Sequence, residues 1–404
     1  MIITLSGNDG SGKTAIVKKI KDYYAEKNAE IIFVEEFNYF VISFFKKLLG
    51  VKRVQSQQIL LQEKDSRSVL KIIFPYIVWF DLIIEHFYLK IFHRNKLIFK
   101  DRQAYDFLIT WIEQGISNRF IYYIYGHFPK ADMAFYIYVD PLIAHERKVL
   151  QYGDLAKKLS FYVEKTKMYD VFFDKKNVLK VDNNQDISAT VFRIISYINL
   201  RERFLKLKTI AISGIDGAGK TTTINNLIKL TDGLNLKTKT IHFYYNYIIL
   251  KLFKKIKNNV IATESLHQKS IENEIRTVER GKGKFWKWFV LLDAFIQYWF
   301  VKMFYSRRII IFDRYFHDFL VSFDFINVSY NRSFLLKIFP KVDRYFLQIA
   351  DYKILYERKP EHTLEFFEKC HGSYSKLAMD QDLIVLDSTF NNEDEIVKII
   401  IDNI

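Results

Sequence analysis

Cysteine, proline and long uncharged apolar runs are what this chain has least of. Its single cysteine, Cys370, rules out an intrachain disulfide, which excludes a cross-linked secreted scaffold and fits a reducing compartment. A lone thiol of this kind reads as a small packed side chain. No Cys/His group has zinc-ligand spacing. Five prolines in 404 residues, with apolar residues throughout, exclude a low-complexity disordered chain. The opening residues, Met1 to Gly7, pass too quickly into a glycine-rich motif to read as a signal peptide, so a cytoplasmic location is expected. The two longest apolar stretches are Val69 to Phe92 and Phe285 to Phe304. Lys71, Asp81, Glu85 and Lys90 interrupt the first, and Lys287, Asp293 and Lys302 the second. Mid-bilayer charges cost about 2.5–3.5 kcal/mol each. Both stretches are therefore expected to be helices of an α/β core, with peripheral membrane contact the less favoured reading.

What is present is a long, half-hydrophobic chain with 26% charged residues, enough for two or three domains with cores of their own. The net charge is +15, of which residues 1–200 carry +7 (29 Lys and Arg against 22 Asp and Glu) and the remainder +8. An even excess without a basic tail suits anionic small-molecule sites, and no nucleic-acid polymer is expected as a partner.

The chain repeats itself. Gly7-Asn8-Asp9-Gly10-Ser11-Gly12-Lys13-Thr14 returns 207 residues later as Gly214-Ile215-Asp216-Gly217-Ala218-Gly219-Lys220-Thr221. Asp101-Arg102 returns as Asp313-Arg314, and each is followed by Asp-Phe-Leu, beginning at Asp106 and Asp318. Glu146-Arg147-Lys148 returns as Glu357-Arg358-Lys359. Four matches in one order at nearly constant offset argue for duplication. Strand-like runs flank them in the same sequence. They are Ile2 to Leu5, Ile31 to Val34, Leu97 to Phe99, Phe135 to Val139 and Val178 to Val181. In the second half they are Ile210 to Ile212, Ile241 to Phe243, Ile309 to Phe312, Tyr345 to Ile349 and Leu383 to Leu386. Helical spacing separates them, so the expected fold is α/β: two tandem domains, 1–203 and 204–404, each a five-stranded parallel sheet flanked by helices. The junction, Asn199 to Lys208, has no Gly or Pro and reads as a helix running into a strand, so the halves are expected to pack together.

Both glycine-rich segments match the P-loop pattern G-x-x-x-x-G-K-[ST], with a strand before and a helix after. Such a loop turns backbone amides onto phosphate oxygens while the helix aims its positive end at the same anion. Gly7, Gly10, Ser11, Gly12, Lys13 and Thr14, with Gly214, Gly217, Ala218, Gly219, Lys220 and Thr221, are thus candidate nucleotide ligands. Lys13 and Lys220 would reach the β- and γ-phosphates, and Thr14 and Thr221 would place a hydroxyl on Mg²⁺. Asp101 and Asp313 end strands where α/β proteins bind ligands, and could hold Mg²⁺ or its water. Arg102 and Arg314 could neutralise charge on the transferring phosphate. Arg147 and Arg358 lie after a strand where a lid could close over nucleotide.

With these residues in place, each half resembles a thymidylate kinase-like P-loop kinase. The resemblance rests on Gly214 to Thr221, on Ile309 to Tyr315 ending Phe-Asp-Arg-Tyr, and on Glu365-Phe366-Phe367-Glu368 through Tyr374, Leu377 and Ala378. It implies ATP and Mg²⁺ as cofactors and phosphoryl transfer to a nucleoside monophosphate. It also implies Asp9 and Asp216 at the acceptor sugar, and an internal pseudo-dimer, since relatives are homodimers. Ser11 and Ala218 stand where one branch has arginine, which points to the branch with a lid arginine. Two departures touch the acceptor. The family's Arg-Glu-Pro is absent at Val34-Glu35-Glu36-Phe37 and at Phe243-Tyr244-Tyr245-Asn246. Its central-helix Asp-Arg survives only as Asp81-Leu82 and Asp293-Ala294. The second half also resembles a divergent group with an aspartate after Asp-Arg-Tyr, here Asp318. Because Gln103 replaces that tyrosine in the first half, the second half is expected to be the more active.

The leading reading is a nucleoside monophosphate kinase, with thymidylate as the first acceptor to try. A second is a kinase of a hydroxyl on a nucleoside, sugar or glycan precursor, with Asp313 or Asp318 as base; Asp106 and Asp318 are candidate acceptor contacts. A third is a non-catalytic nucleotide-binding regulatory protein.

Overall fold

A computed structural model describes residues 1–34, 69–116, 118–174, 178–243, 283–325, 329–360, 362–381 and 383–404. Glu35 to Phe37 and Tyr244 to Asn246, which fall in the sought acceptor motif, lie outside these residues. The chain forms two compact units, Met1–Asn199 with Gly233–Asn235, and Leu200–Asp232 with Leu236–Ile404.

Unit 1 is built from β1 (Ile2–Ser6), α1 (Lys13–Glu26), β2 (Ile31–Val34), α2 (Val69–Phe92), β3 (Leu97–Asp101), α3 (Ala104–Glu113), α4 (Arg119–Gly126), β4 (Met133–Tyr138), α5 (Pro141–Tyr152), α6 (Leu159–Phe173), β5 (Leu179–Asp182) and α7 (Ile187–Lys206), whose last turns lie in unit 2. Its sheet is parallel, ordered β2-β3-β1-β4-β5. Unit 2 follows with β6 (Thr209–Gly214), α8 (Lys220–Gly233), β7 (Thr238–His242), α9 (Gly283–Phe304), β8 (Ile309–Asp313), α10 (Phe316–Phe325), α11 (Arg332–Ile338), β9 (Arg344–Ile349), α12 (Tyr352–Arg358), α13 (Leu364–Gln381), β10 (Ile384–Asp387) and α14 (Glu393–Asp402). Its parallel sheet, β7-β8-β6-β9-β10, repeats the order of the first.

The central strands β1 and β6 are buried along their whole length, which is why they read as unbroken apolar runs. β7 begins at Thr238, three residues before the apolar run that marks it. Among the described residues it is an edge strand paired only with β8, so Thr238, Lys239 and Thr240 need no apolar cover. The strand order sets the site. β1 lies between β3 and β4, with Leu5 beside Asp101, and β6 between β8 and β9, with Ile212 beside Asp313. The loop after the first strand and the Asp-Arg after the third therefore emerge side by side at a topological switch point.

α2 turns Val78, Asp81, Leu82, Glu85, His86 and Leu89 inward and leaves Phe80, Phe87, Ile91 and Phe92 exposed. α9 likewise exposes Leu292, Trp299, Met303 and Phe304. By length and composition, Ile72–Phe92 is long and apolar enough to cross a membrane. The charges that argue against spanning, Asp81 and Glu85, face the protein, and Glu85 pairs with Lys100 of β3. Unit 2 carries Phe312 at the position of Lys100 and packs it with Phe243, Tyr298 and Tyr315.

Candidate active site

The loop after β1 can exist only with glycine at its first position. Gly7 has φ 151°, and a Cβ there would stand 2.5 Å from Ile137 O; Gly214 has φ 142°, with 1.8 Å to Gln348 O. Both loops close through equivalent backbone bonds, Ser11 N to Asn8 O at 3.1 Å and Ala218 N to Ile215 O at 3.2 Å. α1 and α8 start at the motif lysines, so their free N-terminal amides face the cradle. Thr14 and Thr221 are exposed in those first turns. Lys13 Nζ donates to Gly7 O at 2.9 Å and Asn8 O at 3.2 Å; Lys220 Nζ donates to Gly214 O and Ile215 O, both at 2.8 Å. Burial, and then the neighbouring arginine's charge, pull both amines down, Lys220 to about 8.

Arg102 and Arg314 each follow their strand in the left-handed region, at φ 66° and 68°. Non-glycine residues held there cost about 1–3 kcal/mol and concentrate at functional sites. Each is pinned by its own amide to the first strand: Arg102 N to Leu5 O and Arg314 N to Ile212 O, both at 2.9 Å. The kink carries the guanidinium over the P-loop. Arg102 Nη2 donates to Asp9 Oδ1 at 3.0 Å, and Arg314 Nη2 donates to Asp216 Oδ1. Lys220 Nζ lies 3.5 Å from the same Asp216 oxygen. Burial pushes the Asp9 carboxyl up, but Lys165 first, then Arg102 and Lys13, hold it well below the carboxylate range. Arg314 and Lys220 do the same for Asp216.

The strand-end aspartates differ. Asp101 Oδ1 is buried and accepts no hydrogen bond from a described residue, and burial raises its carboxyl despite Lys13 and Arg102. His242, at the end of β7, donates from Nδ1 to Asp313 Oδ2 at 2.9 Å. That bond and the nearby cations outweigh burial and lower Asp313. An orphaned carboxylate oxygen beside a P-loop lysine fits a Mg²⁺ ion that draws its other ligands from a threonine hydroxyl, waters and phosphates. Among the described residues no group of three or more His, Cys, Asp or Glu could hold a metal, and a nucleotide-borne Mg²⁺ needs none.

Two expectations are corrected. Asp106 and Asp318 were read as acceptor contacts, and Asp318 as a base, but they are 0% and 1% exposed with both oxygens engaged. Asp106 accepts from Ser6 Oγ (2.6 Å), Gln103 N (2.8 Å) and Tyr169 OH (2.8 Å). Asp318 accepts from Tyr315 N (2.8 Å), Tyr374 OH (2.6 Å) and Arg314 Nη1 (3.4 Å). They are the N3 positions of α3 and α10, where a carboxylate satisfies the cap amide, and Asp318 also braces the kinked Arg314. The difference between Gln103 and Tyr315 also falls away from the phosphates. Gln103 Nε2 donates to Ser6 Oγ and Tyr315 OH to Pro340 O, both in the interior.

Arg147 Nη1 donates to Gly10 O at 3.3 Å and Arg358 Nη1 to Gly217 O at 3.2 Å, equivalent loop positions. Unremarked in the sequence were Asn183, whose Nδ2 donates to Ser11 O (2.7 Å), and Ser388 and Gln348, which donate to Ala218 O (2.9 and 2.8 Å). These are common polar residues just past or within strands and carry no motif. His242 and Lys165 were also missed. Lys165 had a signal, because it falls in the stripe Tyr162, Lys165/Thr166, Tyr169, Phe173 that α6 buries.

Fold and site define a class: a P-loop nucleoside triphosphate-binding α/β protein whose loop lysine, loop aspartate and strand-end arginine converge twice. Residues 1–167 match the KAP family P-loop domain. Over 203 residues, 49% of this chain and 94% of the relative, it is 25% identical to a probable thymidylate kinase of Staphylothermus marinus (strain ATCC 43588 / DSM 3639 / JCM 9404 / F1). A structure of deoxyadenosine kinase from M. mycoides with bound dATP covers 49% of the chain and 100% of its own, with a TM-score of 0.32 and 18% identity. The chain is thus a P-loop NTPase-fold protein with weak sequence similarity to a probable thymidylate kinase.

Proposed function

We propose that this chain is an ATP- and Mg²⁺-dependent phosphotransferase of two tandem thymidylate kinase-like units, with a nucleoside monophosphate as its acceptor. The observation that carries this is the doubled convergence of Lys13, Asp9 and Arg102 and of Lys220, Asp216 and Arg314. In the transfer, the acceptor oxygen bonds the γ-phosphorus as the bond to the β-bridging oxygen breaks, leaving ADP. Lys13 and Lys220 swing from loop carbonyls to phosphate oxygens. Arg102 and Arg314, fixed by their backbones, neutralise charge between donor and acceptor. Asp9 and Asp216 hold the arginines and meet the acceptor. Mg²⁺, held through Thr14 and Asp101 or Thr221 and Asp313, would offset charge on the β- and γ-oxygens.

A second reading applies to unit 2, where the exposed His242 bonds Asp313. An imidazole–carboxylate pair at the mouth of a phosphate site suits a hydroxyl acceptor, whose proton must leave. The test is ADP formation from ATP and Mg²⁺ with thymidine monophosphate, other nucleoside monophosphates, nucleosides and sugars. The proposal expects turnover that disappears in the Lys13→Ala, Lys220→Ala double variant. Tight ATP binding with no turnover on any acceptor would instead mark a nucleotide-binding regulator, and absence of ATP binding would end both readings.

A further inference from the structure

The acceptor ends of the two sites differ in charge. Tyr169 and Tyr374 each donate to the buried cap aspartate of their unit, which aligns α6 with α13. Four residues earlier on each helix stand Lys165 and Cys370. Seven residues after Asp106 and Asp318 stand Glu113 and Phe325. Lys165, with its side chain 6% exposed, lies 4.0 Å from Asp9 Oδ2 and 3.4 Å from Glu113 Oε2, and donates no hydrogen bond to any described residue. Lys157 stands 3.8 Å from Glu113 Oε1 and over the Phe161 ring. A buried ammonium ordinarily spends its three donors on close hydrogen bonds; this one is instead held by ion pairs of 3.4 and 4.0 Å to carboxylates at the edge of the loop. In unit 2 the equivalent Cys370 thiol, pushed up to about 12 by burial and by Asp216, carries no charge.

We propose that Lys165, assisted by Lys157, binds the phosphate of an anionic acceptor in unit 1, so that unit 1 takes a phosphorylated acceptor while unit 2 lacks this selectivity. The inference rests on the phosphotransferase reading for the identity of the site, but its own prediction is a ratio of affinities.

The test uses the full chain carrying Lys220→Ala, so that only unit 1 holds ATP. Thymidine monophosphate and thymidine are titrated calorimetrically in the presence of a non-hydrolysable ATP analogue, and ADP formation is followed in parallel. The monophosphate should bind at least about thirtyfold more tightly than the nucleoside, as a charge-assisted hydrogen bond allows. Lys165→Met should reduce that ratio to about threefold or less, Lys165→Arg should preserve it, and KM for ATP should stay within about twofold. Should Lys165→Met melt early, the surface variant Lys157→Met should still lower the ratio about threefold. A ratio unchanged by Lys165→Met and Lys157→Met, or no preference for the monophosphate in the parent, overturns the proposal. Absent turnover with the ratio intact would overturn the phosphotransferase reading alone.

Discussion

The two units build their P-loops from matching contacts and part company in the side chains around them. Loop closure, lysine contacts, the left-handed arginine and its bond to the loop aspartate recur at matching positions. Beyond them, Lys165 corresponds to Cys370, Glu113 to Phe325, Lys100 to Phe312, and Asp101, with one orphaned oxygen, to an Asp313 bonded to His242. Phosphate binding is set by backbone amides and one kink, which tolerate little change. In the proposed reaction the acceptor would meet side chains on surrounding helices, which can change singly.

That comparison can be broken in four ways. The largest effect should come from the lysines. Lys13→Ala or Lys220→Ala should cut turnover at its own unit by about a thousandfold. If one variant silences every acceptor, the units do not work separately. Next are the first loop glycines. Gly214→Ala forces a Cβ to 1.8 Å from a carbonyl oxygen and Gly7→Ala to 2.5 Å. Calorimetric melting should show losses of about 3 and about 2 kcal/mol, the unit 2 variant being worse. Equal losses would mean that the difference in clearance between the two loops has no energetic consequence.

Third, Asp106→Ala and Asp318→Ala should each cost about 2 kcal/mol, read as a melting shift of about 4–8 °C. Activity should fall with stability. Lost turnover at an unchanged melting temperature would return them to the acceptor site. The smallest effect is acid sensitivity. Burial lowers both His86 in unit 1 and His317 in unit 2 from 6.5 to about 4. Between those values the unfolded chain binds more protons, so stability falls as pH drops through 6.5 and levels off below about 4. Each histidine should contribute about 1 kcal/mol of loss by pH 5.5. His86→Phe and His317→Phe should each flatten the profile of one unit, followed by thermal melting across pH.

Much of this was legible in the residues. The ten strands, their parallel sense and the meeting of loop with Asp-Arg follow from apolar runs, helical spacing and motif order. The start of β7 was not legible, because an edge strand may be polar. Nor was the burial of Asp106 and Asp318, since a capping carboxylate and a substrate carboxylate look alike in sequence. Burial and the hydrogen bonds from Tyr169 and Tyr374, 63 and 56 residues away, separate the two roles. The kink at Arg102 and Arg314 was hidden for a related reason: an arginine gives no sign that its φ is positive.

The central claim is that both loops grip ATP with a lysine, beside an arginine that the loop aspartate holds in place. Counting ATP bound per chain by calorimetry tests it most directly. The account predicts two, one in either Lys13→Ala or Lys220→Ala, and none in the double variant; a stoichiometry that neither substitution changes would contradict it.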